Sequence, residues 1–384
     1  MKQLLYISII FVFASTVKAI EFMPLTAMHE SGSIVNTTFF NAGGALPSNA
    51  SSMSLNPAVP AAWHFYSQSL FSVFGSYYNN NNLDFQKMGG GGSLALGIGM
   101  YAGLEYLLRN ETDGSGHRFN RATLAFGTMI DDNFDDPLFV GLNLSFYNFD
   151  GKIPRSGLLP FRLLDENRKE VARDYYDSGI REISAKNNLV AMDLGIYQPG
   201  SGQGLSWGIV LENILGYSWN KYDHRRQKFS ENFVFEDDDE IFILEWEEYE
   251  EGTYKSHNML NRRYNSFLLA TSLSIPFAQD RMVLTVPADV RFWGFMNKDL
   301  RRSSRLKHRT EVHSGLELQF GGRFCGRLGW AWIPEKYTTA ENGQLNFRGW
   351  DNRFSGGFGV NFNIIMIDAV FAKDAWGAGI SFQL

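Results

Sequence analysis

The chain holds one cysteine, Cys325, so no internal disulfide braces it. That thiol sits in an apolar, strand-like stretch and reads as wall packing. A basic excess is also missing: the net charge is −6, whereas nucleic-acid binding requires a basic footprint. No His-Glu-x-x-His zinc motif occurs, and no serine stands in a recognisable nucleophile motif. Glu311 and His313 share one strand face, but without a nucleophile they do not make a hydrolase. The expectation is a protein that is not an enzyme and uses no metal and no cofactor. Long apolar runs are absent as well: past the first residues, no segment is long and apolar enough for a transmembrane helix.

The first residues carry an export signal. Lys2 gives a positive start, Leu4 to Ser15 an apolar core, and Val17-Lys18-Ala19 a small-x-small cleavage site. The apolar run is about 12 residues, against the roughly 18–20 that span a bilayer as a helix. Residues 1–19 are therefore expected to be a cleaved signal peptide, with the mature chain starting at Ile20. Losing Lys2 and Lys18 takes the net charge from −6 to −8.

What the chain has in quantity is glycine (38 residues) and aromatics (15%), with 44% hydrophobic residues overall. A membrane barrel wall accounts for that mixture, because only alternate residues face lipid and aromatics gather at the two interfaces. Period-two alternation dominates and helical periodicity is scarce. Leu138, Val140, Leu142, Leu144 and Phe146 alternate with Gly141, Asn143, Ser145 and Tyr147. Likewise Val190, Met192, Leu194 and Ile196 alternate with Ala191, Asp193 and Gly195. Thirteen such segments stand out: 63–78, 92–108, 120–130, 137–149, 188–198, 204–216, 264–275, 282–295, 308–320, 323–332, 353–363, 364–372 and 376–384. Bacterial single-chain barrels have even strand numbers. Counting loops back from the C-terminus gives long loops at one rim and short turns at the other, and the alternation fails only before residue 92. One further strand belongs there, which makes about fourteen.

The final residues, Ala378-Gly379-Ile380-Ser381-Phe382-Gln383-Leu384, resemble the closing-strand signal of bacterial outer-membrane β-barrels. Gly379, Phe382 and Leu384 carry that resemblance. It implies a last strand paired with the first and read by the barrel-assembly machinery. Residues 20–62 differ from the rest, being rich in Gly, Ala, Ser and Asn with little alternation. They contain Asn49-Ala50-Ser51-Ser52 and then Asn56-Pro57-Ala58. This stretch resembles the N-terminal motif of the FadL-like long-chain fatty-acid transporter superfamily and its PorV-like and PorQ-like relatives. Here Asn49 replaces the usual Asp, and Leu55 replaces the aromatic before Asn-Pro. Trp207 to Gly216 is similar to the family's strand ending in Asn-apolar-Gly. His313-Ser314-Gly315-Leu316-Glu317 with Arg327-Leu328-Gly329-Trp330, and Phe358-Gly359-Val360 with Ile367-Asp368-Ala369, resemble later strands.

The expected fold is all-β: a transmembrane antiparallel β-barrel over 63–384, with residues 20–62 as an N-terminal plug inside or beneath it. Candidate lumen residues are Asp193, Glu212, Asp289, Arg291, Glu311, His313, Glu317 and Arg327. Charges facing inward in a barrel are expected to pair into a network that fills the interior. Between Phe229 and Tyr254 there are eleven carboxylates and no Lys or Arg. They read as an extended solvated loop, with Ile241, Phe242, Trp246 and Tyr249 hinting at a hairpin beyond the membrane or a packed partner. Arg301 to Arg309 form a basic loop tip. The resemblance implies passage of hydrophobic small molecules across the outer membrane. The alternative is a partner-binding component of a secretion or surface-attachment system. Expected partners are outer-membrane lipid and lipopolysaccharide, the assembly machinery, and a hydrophobic solute or secretion proteins.

Overall fold

The computed structural model describes residues 31–384 except 32, 40, 43, 47–49, 82–83, 113–116, 132–135, 156–157, 165–166, 169, 178–180, 201–203, 238–239, 260–264, 279–280, 294–309 and 339–344. The leader and the basic run Arg301–Arg309 lie outside the described residues. Among the described residues, seventeen strands follow a short N-terminal helical segment: β1 (Phe71–Asn80), β2 (Phe85–Gly97), β3 (Met100–Glu111), β4 (Arg118–Met129), β5 (Phe139–Arg155), β6 (Leu158–Leu164), β7 (Glu170–Asp177), β8 (Arg181–Gln198) and β9 (Leu205–Asp237). After these come β10 (Glu240–Met259), β11 (Ser266–Phe277), β12 (Met282–Trp293), β13 (Thr310–Phe320), β14 (Phe324–Thr338), β15 (Leu345–Asn361), β16 (Ile365–Ala372) and β17 (Ala375–Gln383).

Fourteen of these make the barrel. Neighbours pair antiparallel in chain order, with β5 joined directly to β8 and β9 to β11. The ring closes where β17 pairs β1, from Ser72 opposite Gln383 to Asn80 opposite Ala375. Leu70 and Phe71 both donate their amides to the Leu384 carbonyl, which seals the seam at the rim holding the C-terminus (the lower rim). Closure leaves no free edge, so the wall strands pair their backbones with one another, which the hydrocarbon demands.

The strand that alternation alone did not resolve is β2. Residues 92–108 are two strands joined at Ile98-Gly99, and Gly99 takes a φ of +65° that a side chain would strain. A two-residue turn preserves the parity of the outward set, so Leu94, Leu96, Ile98, Met100 and Leu104 all stay on the lipid face and mimic one long strand. The start of the barrel also moves. It begins at Phe71, not Trp63, because Val59–Ser67 is a helix (α2). Pro60 is in its first turn, where the missing N–H costs nothing, and Gln68 ends it in the left-handed conformation. The plug thus runs past residue 62.

Outside, the wall is apolar. Phe320, Phe324, Phe362, Phe382 and Leu384 ring the lower rim, and Tyr106, Tyr217, Trp219, Trp332 and Trp376 the upper part. These are the two aromatic girdles of a membrane barrel. An amide ladder marks the upper edge on the outer face: Tyr106 donates to Asn120, Asn120 to Asn148, and Asn148 to Asn188, at 3.1, 3.3 and 2.8 Å.

Above that edge the wall grows into a sheet. β9 and β10 pair from Tyr217–Met259 to Asp237–Glu240, a contour of about 70 Å at the usual strand rise. β6 adds to β10 and β7 to β6. The acidic run therefore lies on both strands of this hairpin, the end of β9 and most of β10; Glu248, Glu250 and Glu251 hold register positions opposite Lys228, Arg226 and Arg225, and Glu245 and Glu240 positions opposite Glu231 and Asp237. Likewise, β9 does not end at Asn213-Ile214-Leu215-Gly216. It bulges there, with Met192 opposite Leu215 but Leu194 opposite Leu211, and continues upward.

Candidate functional site: the plugged lumen

The described residues between 31 and 67 lie within the barrel, with α1 (Ile34–Thr38), a 3-10 turn (Ala50–Ser54) and α2. Little of this segment is regular, so its backbone groups need outside partners. The wall supplies them from all sides. Lys87 donates to the Ser31 carbonyl (3.2 Å) and to Thr37 Oγ1 (2.7 Å). Asp289 Oδ2 accepts from the Gly44 amide at 3.0 Å. Asn143 donates to the Met53 carbonyl at 2.8 Å, Tyr101 to that of Pro57 at 2.6 Å, and Ser355 to that of Thr38.

The Asn56-Pro57-Ala58 motif is the seat of this arrangement. Asn56 Oδ1 accepts from the Ala58 amide (3.0 Å), which fixes the turn into α2. Its Nδ2 donates to the Gly44 carbonyl (2.8 Å) and to that of Ile196 in β8 (3.2 Å). The wall accommodates the motif with glycine. A Cβ on Gly141 would lie 2.2 Å from the Pro57 carbonyl carbon, and one on Gly329 would lie 1.8 Å from the Thr38 oxygen. Alternation shows that these glycines face inward; only the structure shows that the plug backbone fills the space.

All eight candidate lumen residues are buried on the inner face. Arg291 grips Glu212 with two bonds, Nε to Oε2 at 2.9 Å and Nη2 to Oε1 at 3.0 Å. Its Nη1 is 3.8 Å from Glu311, whose carboxylate is 3.6 Å from His313 Nε2. Arg327 bonds Glu317 at 2.6 Å and also Asp368. Two carboxylates hold backbone instead: Asp289 holds Gly44, and Asp193 accepts from the Asn213 amide at 2.7 Å. The latter stabilises the β9 bulge, where Asn213 has a φ of +53°. Fixed pairs of this kind fill and cross-link the interior.

Four contributors escaped the sequence reading. Glu105 and Arg121 pair at 2.9 Å with 0% and 2% of their side chains exposed. Asp368 completes the Arg327 group, and Lys87 holds the plug. The parity of β2, β3, β4 and β16 places each of them inward, so the signal was present in the alternation. At the chain end, Gly379 is on the inner face, while Phe382 and Leu384 project outward, 37% and 58% exposed.

A closed, fourteen-stranded barrel with an apolar outer band, a polar packed interior and an N-terminal plug defines the chain as an outer-membrane β-barrel. No protein-family model and no curated protein matches the sequence. Solved structures do. A Pseudomonas aeruginosa FadL homologue covers 92% of this chain and 99% of its own length, with a TM-score of 0.56 and 11% identity. The Ralstonia pickettii toluene transporter TbuX covers 92% and 97%, with a TM-score of 0.49 and 8% identity. At 11% identity the likeness to the FadL homologue is one of fold, and the fold is FadL-like.

Proposed function

We propose that the protein passes hydrophobic small molecules across the outer membrane as a FadL-like barrel. The observation that carries this reading is the plug: an N-terminal segment seated by Asn56 on the inner glycines of a barrel sharing its fold with a FadL homologue. A lumen closed by a bonded plug suits selective passage better than an open aqueous pore. Export would use the leader, with cleavage after Ala19. Outer-membrane lipid and lipopolysaccharide would surround the wall, and the assembly machinery would read β17. The test is uptake into proteoliposomes: radiolabelled naphthalene should enter faster than into protein-free vesicles, with sucrose unaffected. Equal naphthalene entry with and without protein would reject the reading.

One observation supports the second reading, a PorV-like partner-binding role. The β9–β10 hairpin and the added β6 and β7 raise a sheet far above the barrel, more than a solute passage needs. Deleting residues 221–255 separates the two. A transporter keeps naphthalene uptake, whereas an adaptor loses surface display of its secreted partners.

A further inference from the structure

Charge is spread unevenly around the outside of the upper rim. On β4, β5 and β8 the outward residues are the even-numbered ones, and Asn120, Asn148 and Asn188 form the amide ladder at the edge of the apolar band. Two residues further up each strand stand Arg118, Asp150 and Lys186, opposite one another in register. The row runs on into the tall hairpin, where Lys186 is opposite Lys221 and Lys221 opposite Lys255. Tyr217 and Trp219 are exposed on the outer face of β9, and alternation puts position 221 on the same face. Five neighbouring strands thus carry four cations and one carboxylate in a single row. Followed the other way the row is neutral: Arg118 is opposite Asn110, and Gln86, Asn79 and Trp376 come next.

The bonding in this row leaves it short of anions. Asp150 pairs with Lys186 at 3.0 Å, with 45% and 58% of their side chains exposed. Arg118 is exposed, and among the described residues nothing pairs with its guanidinium. The ladder below is directional, each Nδ2 donating to the next Oδ1, so Asn188 accepts from Asn148 and keeps its own Nδ2 for a further partner. Lys221 has a lysine at both of its register positions. Like charges at directly opposed positions repel unless an anion lies between them. Three such positions span about 10 Å across the sheet. A phosphate group set among them could take charge-assisted hydrogen bonds from neighbouring cations.

We infer that this strip is a phosphate site for the glycolipid of the outer leaflet. Arg118, Lys186, Lys221 and Lys255 take the phosphates of lipid A, the asparagine ladder takes its sugar and amide groups, and its acyl chains lie along the apolar wall below. Position selects a lipid over a soluble anion. The row is on the outer face, immediately above the apolar band, at the rim with the long loops, which is the external one. General basicity does not account for it, because the chain has a net charge of −6. Lipopolysaccharide meets the wall all round; the inference is that one side of the barrel holds it. It is independent of what passes through the lumen.

The experiment uses the full chain in detergent and fluorescein-labelled rough lipopolysaccharide, with binding read by anisotropy and folding checked by heat-modifiable migration. The Lys186→Gln/Lys221→Gln/Lys255→Gln protein should bind at least about tenfold more weakly than the unaltered one, since each cation at an anionic membrane surface contributes about fivefold. Lys373→Gln, at the exposed turn between β16 and β17, should bind as the unaltered protein does. A second arm needs no variant: phosphatase-treated lipopolysaccharide should compete for the unaltered protein at least about tenfold more weakly than the untreated form. Equal affinity of the triple variant and the unaltered protein, an equal loss in Lys373→Gln, or equal competition by the dephosphorylated lipid overturns the site. Displacement of the labelled lipid by inorganic phosphate alone overturns the glycolipid as its ligand.

Discussion

Asn56 Oδ1 occupies the place of a side chain on Gly195: a Cβ built there would lie 2.2 Å from it. Wall and plug are thus complementary at atomic distance, and the complementarity is testable. Gly195→Ala and Gly141→Ala should each destabilise the folded barrel by about 1–3 kcal/mol, the usual cost of overpacking a filled site. Gly75→Ala and Gly326→Ala are the controls, because nothing lies within 4 Å of a Cβ at either. Urea unfolding in detergent, followed by tryptophan fluorescence, should separate the two pairs. Equal midpoints for all four would mean that the plug yields freely.

The Arg291 group makes a sharper demand. Its guanidinium serves both Glu212 and Glu311 in a buried setting. Arg291→Met should cost about 3–5 kcal/mol, because it strands buried carboxylates. Restoring neutrality with Glu212→Gln in the same chain should recover part of that loss. A double mutant no better than Arg291→Met would show that the pair is not coupled.

The closing strand predicts an assembly defect. Phe382 and Leu384 lie two apart on the lipid face of β17, which seals the ring against β1. Replacing both with Asp should abolish insertion and leave degraded or aggregated chain, read by loss of the heat-modifiable band from the outer-membrane fraction. A normal band would remove the closing-strand argument.

How much of this was legible in the sequence depended on parity. A β-strand exposes alternate residues to one solvent, and in a barrel that rule needs no tertiary information, so the inward set from Asp193 to Arg327 could be read directly. What failed was anything that left parity intact or replaced it. The Ile98-Gly99 turn kept outward residues outward and hid a strand boundary. Residues 63–66 fit the start of a wall segment but belong to α2, which packs against Tyr101 and Phe139. Which wall residue meets which plug atom, as Lys87 meets Thr37, depends on three-dimensional closure. No periodicity carries that information.

His64 sets a pH dependence. It lies in α2, with Nδ1 2.7 Å from the Ser69 carbonyl and Nε2 2.9 Å from Ser93 Oγ. A carbonyl only accepts, so Nδ1 carries the proton and Nε2 accepts from the Ser93 hydroxyl. Burial lowers its pKa below 6.5, partly opposed by the bond to Ser69. The folded state therefore binds this proton less readily than the unfolded one. Its contribution to stability is complete above pH 6.5 and is lost as pH falls below that value toward the folded pKa. His64→Gln should flatten the stability profile between pH 7.5 and 5, relative to the unaltered protein. Parallel profiles would exclude His64 as the source.

The plug itself gives the last prediction. Deleting residues 22–48 removes α1, the apolar cluster at Tyr78 and Phe85, and the Gly44 partner of Asp289. It leaves Asn56, α2 and every wall strand. The β1–β17 ladder closes without the deleted residues, so the barrel should still form and migrate as a heat-modifiable species, with reduced stability. With α1 and its apolar cluster gone, less of the lumen would be filled. Single-channel conductance in planar bilayers should then rise above that of the full chain. Loss of folding would make the segment part of the structural wall. A folded variant with unchanged, negligible conductance would mean that the lumen is closed by wall side chains or upper loops, which favours the partner-binding reading.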